Sequence, residues 1–504
     1  MLTRVKTFAL EGFSPRVVNV EVDVRPGLPA FQIVGLGDVA VREAKERVRA
    51  AIQNSGFEFP MRRIVANLAP ANLRKSGPGF DAAIAVGVLA ASEQIPILSL
   101  DGIGVFGELS LSGDMRACAG ALPAAEGAAH EGLQRLILPE ASAAEGSLAQ
   151  GVEVIPTRDL RELCSLLTGG SEPRSCKASP LTGEVAASPE LAEVVGQARA
   201  VEALVIAAAG GHNLLLEGPP GTGKTMLARR LPGILPPLAR SEMLEVARVH
   251  SACGLLDPAS AAISRPFRAP HHSVSSAGLL GGGSIPTPGE VTLAHRGVLF
   301  LDEFPEFRRD AIESLRQPLE EGAVTVVRRG GRLAFPASFQ LVAAANPCPC
   351  GQSGSKQSCE CTPTALQRYK QRISGPILDR IDICSIVDRP KADEIQRISR
   401  SFVQVTTEQA AERVAKAREH QSLRWGDGTL NRDATEKELV ARGVTSKAAM
   451  GVLADAYERH RLSPRGHLRV LRTARTIADL ADEAQTSETS MLAALSYRVR
   501  SGGQ

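Results

Sequence analysis

At 504 residues the chain has room for roughly two to four domains, and 43% hydrophobic content argues for ordinary folded ones. A net charge of +3 excludes a polycation, so any nucleic-acid contact must come from a local patch. No run of about 18 apolar residues occurs, and the N-terminal MLTRVKTFALEG has no apolar signal core, so a cytoplasmic protein without membrane contact is expected. Nine Cys is an odd count, which argues against a disulfide framework and for metal ligation or inert thiols.

In chain order, residues 1–168 alternate strands and helices. Val18, Val20, Val22 and Val24 alternate with polar residues, which predicts a half-buried strand. Residues 38–54 have helical spacing, and FDAAIAVGVLAAS at 80–92 reads as a buried helix. LILP at 136–139 and VEVIP at 152–156 read as short strands, followed by a helix over 158–167. Residues 169–187 are rich in Gly, Ser and Pro and read as a linker. A nucleotide block follows over 188–390, and from Lys391 to residue 504 the periodicity is almost wholly helical.

The nucleotide block is set by two strings. The apolar run NLLLEG at 213–218 leads into GPPGTGKT at 218–225, a GxxxxGK[ST] phosphate loop. Gly218, Gly221 and Gly223 let backbone N–H groups converge on phosphate oxygens, with Pro219, Pro220 and Thr222 completing the cradle. Lys224 supplies a point charge at the β/γ-phosphates, Thr225 a hydroxyl for Mg²⁺, and the helix starting there turns its positive end to the anion. VLFLDE at 298–303 is the second string, a buried strand ending in acids. Asp302 would hold Mg²⁺ and Glu303 would polarise the attacking water. ATP turnover with Mg²⁺ is the expectation.

The surrounding segments resemble those of AAA+ ATPases. Val194 and Val195, in VVGQ one helix before the phosphate loop, resemble the adenine-side box. Asn346 ends the run QLVAAANP at 340–347 and resembles sensor 1, which orients water against the γ-phosphate. Arg380, in ISGPILDRIDIC at 373–384, resembles the arginine finger of the MCM and magnesium-chelatase branch, which completes a neighbouring subunit's site. In LSPRGHLRVLRTARTIADL, Ser463, Pro464 and Arg465 match that branch's sensor 2 helix start, with Arg469 and Arg472 as fallback candidates on the same face. If Arg380 is a finger, the chemistry implies a ring.

Two further stretches are informative. RPFRAPHHSVSSAGLLGGG at 265–283 resembles the helix-2 insert of that branch. His271 and His272 within it would point about 100° apart on a helix, which argues against a shared metal. EGAVTVVRRGGRLAFPASFQL at 321–341 reads as a hairpin. Val324, Val326 and Leu333 carry its strands, and Arg328, Arg329, Gly330, Gly331 and Arg332 its basic tip, where the Gly-Gly pair suits a tight turn. A hairpin before sensor 1 is this clade's DNA-gripping element; a solvated tip is the alternative. Cys348, Cys350, Cys359 and Cys361 form two Cys-x-Cys pairs that could close a structural Zn²⁺ site, with a free-thiol loop as the alternative.

Nearly the whole chain resembles the ComM/YifB family of magnesium-chelatase-like AAA+ ATPases, most specifically in QIVGLGDVAVREAKERVRAAI, RPFRAPHHS, ANPCPCG, ISGPILDRIDI and RTARTIADL. The resemblance implies an α/β fold: an AAA+ parallel-sheet core with a helical C-terminal lid, preceded by an α+β Lon-protease-like domain. It also implies a hexameric DNA motor that promotes branch migration on branched or single-stranded junctions in natural transformation. A chelatase-type remodeller of a protein partner is the alternative. Lon-type peptidases place a Ser where this sequence has Gly79 and a Lys where it has Pro123, so no acyl-enzyme chemistry is expected from the first domain, and Ser76 beside Lys75 replaces the dyad only with a shifted loop.

Overall fold

The computed structural model describes residues 1–35, 37–176, 183, 188–256, 263–283, 287–328, 331–353, 358–372, 375–389, 405–441, 444–459 and 462–498. The chain divides into two compact units, Met1–Gly183 with Ala239–Ile263, and Glu184–Leu238 with Ser264–Gln504. Most of the expected linker's second half and the expected boundary at 390/391 lie outside the described residues.

The first unit is built on a seven-stranded mixed sheet. Its spatial order is Ala30–Val34, Arg63–Ala69, Ser14–Arg25, Leu2–Glu11, Ile103–Val105, Arg135–Pro139, Glu153–Thr157. Alternation along Ser14–Arg25 sends Val18, Val20, Val22 and Val24 into the core and leaves Asn19, Glu21 and Asp23 partly solvated, as a period of two requires. Helix Asp81–Ala91 is buried at every residue. Its Ala, Gly and Val side chains allow that: a Cβ on Gly87 would lie 2.6 Å from Val22 Cγ2. The buried Asp81 carboxylate is forked by Arg47 at 2.7 and 3.1 Å, which offsets the desolvation cost of an interior charge.

Helix Arg240–Ala252 belongs to this first unit, although it follows the phosphate loop in sequence. It packs on helix Ala121–His130. Arg248 forks Glu126 at 2.8 and 2.7 Å. The Gly120 N–H donates to the Ser251 carbonyl at 2.9 Å. The Ser251 hydroxyl donates to buried Glu145, which also accepts from the Leu122 N–H at 3.1 Å.

The second unit holds a five-stranded sheet in the order Phe267–Arg268, Val298–Leu301, Gln340–Ala345, Leu214–Glu217, Ile383–Ile386, every neighbour parallel. Parallel strands are covered on both faces, so they read as continuous apolar runs rather than alternations. Val298–Leu301 and Gln340–Ala345 are accordingly buried throughout. Phe267 and Arg268 correct one expectation. They lie inside the stretch read as an insert, yet they form the edge strand of the sheet: Phe267 pairs with Val298 and stacks on Phe300 at 6.0 Å. The remainder of that stretch carries a short helix, Ser276–Leu280.

The hairpin forms from Ala323–Arg328 and Gly331–Pro336. Its register corrects the expected turn. Arg328 pairs with Gly331, so the ladder leaves 329–330 as the connection rather than the two glycines. Arg329 and Gly330 lie outside the described residues. Residues 405–498 contribute the helices Thr407–Trp425, Glu436–Ala441, Lys447–Glu458, Pro464–Leu480 and Glu488–Ser496. Ser463 caps Pro464–Leu480 by accepting from the Gly466 N–H at 3.1 Å, with Pro464 at the first helical position, where its missing N–H costs nothing. Among the described residues no helix is long and apolar enough to cross a membrane.

Candidate nucleotide site

The phosphate loop connects the end of strand Leu214–Glu217 to helix Lys224–Ala228. Its glycines have separate causes. Gly221 and Gly223 sit at φ 72° and 92°, where a Cβ is disfavoured. Gly218 is set by packing instead, since a Cβ there would lie 2.1 Å from the Val387 carbonyl oxygen. Pro220 and Gly221 form the exposed tip, while Thr222 is buried and donates to the Pro219 carbonyl at 2.9 Å.

The loop lysine is turned back on its own cradle. Lys224 Nζ donates to the Gly218 and Pro219 carbonyls at 2.6 and 2.8 Å and to Asn346 Oδ1 at 3.1 Å. Burial lowers the Lys224 pKa below the usual lysine range, against the pull of Asp302 and Glu303. Three acceptors around one ammonium are what a bound anion would replace. Thr225 Oγ1 donates to Asp302 Oδ2 at 2.7 Å, and the Glu303 N–H donates to Asp302 Oδ1 at 2.9 Å. The hydroxyl and carboxylate needed for Mg²⁺ are therefore already adjacent, and the donor set fits a hard cation held through oxygen. Glu303 leaves the strand at φ 51° and is 56% exposed. A left-handed backbone at a non-glycine residue is a sparsely populated conformation of the kind that clusters at functional sites.

The expected adenine-side residues differ in setting. Val194 packs in the core of the unit and Val195 is half-buried. Gln197, the last residue of the VVGQ segment, is buried and reaches the Thr222 and Asp388 carbonyls. It ties the VVGQ segment to the loop and to the end of the Ile383–Ile386 strand. Its signal was present in the motif, but a glutamine carries no periodicity.

Arg380 lies in the turn after helix Gly375–Leu378. It contacts Glu320 and the Pro376 carbonyl, and its Nε is buried without a hydrogen-bond partner among the described residues. Arg465, 64% exposed, lies 4.0 Å from the same Glu320 carboxylate. The two arginines singled out in separate segments thus meet around one acid. The fallback candidates are committed elsewhere. Arg469 donates to the Leu378 and Ile381 carbonyls at 3.0 and 2.7 Å and to Asp379 at 3.1 Å, bracing the turn that carries Arg380. Arg472 donates to the Ala434 carbonyl at 2.7 Å.

The four cysteines converge although the sequence spaces them over fourteen positions. All four Sγ atoms lie within 4.8 Å of one another, with Cys348–Cys350 at 3.3 Å, Cys350–Cys359 at 3.6 Å and Cys359–Cys348 at 3.8 Å. Tetrahedral zinc with its usual Zn–S bonds needs sulfurs about 3.8 Å apart, so the set fits that ion. The Gln352 backbone N–H and the neighbouring thiols hold the Cys350 pKa down, while the same shared hydrogen bonds push those of Cys359 and Cys361 up, so the cluster's fit to zinc rests on its geometry. The cluster abuts the phosphate loop: a Cβ on Gly351 would lie 2.4 Å from Pro220 Cδ.

The basic tip is partly defined. Arg332 is exposed, Arg328 ends the first hairpin strand, and Arg329 is outside the described residues. His271 and His272 lie in a turn rather than a helix, so their rings do not diverge but meet tilted at 36°, with centroids 4.0 Å apart. His272 Nδ1 is 3.4 Å from Glu303 Oε2, a contact the sequence did not foreshadow. In the first unit, a Cβ on Gly79 would lie 2.6 Å from the Phe106 ring, and Pro123 is buried in helix Ala121–His130. Lys75 is buried and donates to the Pro70 carbonyl, not to Ser76.

Comparison with known proteins gives the family. Family models for the magnesium chelatase subunit ChlI match residues 190–395 and 20–142, and one for its C-terminal region matches 404–498. An uncharacterized protein of Mycobacterium tuberculosis is 44% identical over 99% of this chain and 98% of its own length. The uncharacterized protein YifB of Escherichia coli is 43% identical over 77% of this chain and 76% of its own. Competence protein ComM of Haemophilus influenzae is 40% identical over 99% of this chain and 97% of its own. With these matches along nearly its full length, the chain belongs to the ComM/YifB family of magnesium-chelatase-like AAA+ ATPases.

Proposed function

We propose that this chain is a cytoplasmic ATP-driven DNA translocase that works as a hexameric ring and promotes branch migration when single-stranded DNA is recombined into a chromosome during natural transformation. The observation that carries the reading is the approach of Lys224 to Asn346 and of Thr225 to Asp302 where the parallel strands end, with the basic hairpin Ala323–Pro336 lying in sequence between the strands that lead to Asp302 and to Asn346. Similarity to a protein named for competence supports the DNA part.

In this mechanism the phosphates of ATP displace the Gly218 and Pro219 carbonyls from Lys224. Val194 and Val195 border the adenine, and the loop from Gly218 to Gly223 wraps the phosphate chain. Thr225 and Asp302 hold Mg²⁺, which when bound neutralises charge on the phosphate oxygens. Asn346 orients the attacking water and Glu303 accepts its proton. Arg380 leaves Glu320 and reaches the neighbouring subunit's γ-phosphate, with Arg465 beside it. Hydrolysis then moves the hairpin, and Arg328, Arg329 and Arg332 grip phosphates in the pore. The first unit serves as an assembly or guiding platform of Lon-protease-like descent, with Gly79 and Pro123 in place of a Ser/Lys dyad.

Remodelling assays on fork, flap and three-way-junction DNA test the reading. Wild type with ATP and Mg²⁺ is expected to remodel at least one of them, while Glu303→Gln binds ATP and moves none. The second reading, a chelatase-type remodeller of a protein partner, is favoured by the family models for a chelatase subunit. It replaces the first if no DNA substrate is remodelled and hydrolysis is unaffected by DNA. For the cysteine cluster we expect about one zinc per chain, lost in Cys348→Ser; elemental analysis showing no zinc in wild type assigns a free-thiol loop instead.

A further inference from the structure

The phosphate loop is met at two points by one neighbouring stretch of chain. Strand Gln340–Ala345 ends at Asn346, whose Oδ1 accepts from Lys224 Nζ at 3.1 Å. Further along the same stretch, Gly351 reaches the loop again at its exposed tip. A Cβ on Gly351 would lie 2.4 Å from Pro220 Cδ and 2.7 Å from Pro220 Cγ. Gly351 sits at φ 77°, a conformation that glycine adopts without steric cost. Its N–H donates to the Cys348 carbonyl at 2.9 Å. The close approach is therefore made by a tight turn, Cys348–Gly351, with bare backbone against the proline ring.

That turn is built on the cysteines. Cys348 opens it, is buried, and accepts at Sγ from the Ser353 N–H at 3.2 Å. Cys350 lies inside it, and Cys359 and Cys361 close on both from farther along the chain, all four Sγ atoms within 4.8 Å of one another. Thiol–thiol contacts are weak, whereas four Zn–S bonds join the two ends of the segment into one body. A turn fastened in this way has little freedom to move off Pro220, and a turn released from the ion loses that constraint. We propose that zinc held by Cys348, Cys350, Cys359 and Cys361 sets the phosphate-loop tip through the Gly351–Pro220 contact, so that zinc and nucleotide bind cooperatively. Each then tightens the other by the same factor. The coupling passes through packed backbone and a proline ring. The inference rests on the reading of the cluster as a zinc site.

Binding measurements on the full-length chain test it. A fluorescent ATP analogue is titrated in Mg²⁺ into protein as purified, protein stripped with a zinc chelator, and stripped protein reloaded with Zn²⁺. Stripping is expected to weaken nucleotide binding about tenfold, and reloading to restore it. In the reverse experiment, competition with a colorimetric chelator is expected to show zinc affinity about tenfold higher when Mg²⁺ and the analogue are saturating. Pro220→Ala lacks the Cγ and Cδ that Gly351 meets. This variant is expected to keep its zinc and to bind the analogue with affinities that differ by no more than about twofold between stripped and loaded protein. Equal nucleotide affinity in stripped and loaded wild type overturns the proposal while leaving the zinc site standing. A Pro220→Ala chain that responds to zinc as wild type does also overturns it, because the effect then comes from general unfolding of the stripped protein. Wild type that holds no zinc overturns the underlying reading as well.

Discussion

Gly79 is a position where one missing side chain bears on function. Under the proposed Lon-protease-like descent of the first domain, a peptidase would need a hydroxyl here, and the sequence has glycine. The structure adds that the space is gone too, with Phe106 ring atoms 2.6 to 3.2 Å from where a Cβ would sit. Gly79→Ser is therefore expected to destabilise the first unit by about 1–3 kcal/mol, the cost of overpacking a filled core, and to create no peptidase. Chemical denaturation and a peptide-cleavage assay check both halves; a Ser variant of wild-type stability that cleaves peptide would sink the argument. Residues whose meaning is a local chemical pattern were legible in the same way. Lys224, Thr225 and Asp302 stand out by type and spacing and Asn346 by its resemblance to sensor 1; Lys224 lies within hydrogen-bond distance of Asn346, and Thr225 of Asp302. His272, Gln197 and Glu320 do not stand out, because each meets a partner far away in sequence. Their types are unremarkable alone, and only the fold says that His272 faces Glu303 or that Glu320 gathers Arg380 and Arg465.

At the scale of elements, the apolar runs announced the central strands and the alternation of Ser14–Arg25 announced a half-buried one. The edge strand Phe267–Arg268 escaped because two residues carry no period, and the hairpin turn was misread because a Gly-Gly pair fits a tight turn in more than one register. The corrected register matters for the basic tip. Arg328 and Arg332 now flank the connection from opposite strands, with Arg332 paired to Val327 rather than at the turn itself. Charge placed on both strands of a narrow ribbon suits phosphate contact along a strand, whose affinity falls with salt by about 0.7–0.9 log units per contact per decade. Replacing Arg328, Arg329 and Arg332 together by Ala is expected to flatten that slope for single-stranded DNA by roughly two to three, with nucleotide affinity unchanged. Fluorescence anisotropy across a salt series reads the slope directly, and a slope equal to wild type would assign the tip to solvent.

The whole molecule is threaded in a way that no sequence pattern revealed. The chain enters the first unit a second time after the phosphate-loop helices, leaves Ala239–Ile263 there, and returns at Ser264 to build the edge strand. Helix Arg240–Ala252 has ordinary amphipathic spacing, and such spacing names a buried face without naming what covers it. Its buried residues Met243, Val246, Ala247 and Val249, the Arg248 fork on Glu126, and the Ser251 contacts with Gly120 and Glu145 make it part of the first unit's core. Without it, buried Glu145 loses its hydroxyl donor and an apolar face of helix Ala121–His130 is opened to water, each a destabilising change. A fragment of residues 1–176 is therefore expected to be incomplete, and a peptide spanning 239–256 to bind and complete it. At peptide a hundredfold above its Kd the gain is about 2.7 kcal/mol, which for a unit of this size raises Tm by roughly 5–10 °C. The Arg248→Ala peptide is expected to need a higher concentration for the same shift, because a carboxylate fork is lost while the apolar face remains. Thermal melts with and without each peptide measure this. A fragment that melts at one temperature regardless of peptide would mean that the helix is a passenger on the first unit, and that movement of the phosphate loop need not be felt there.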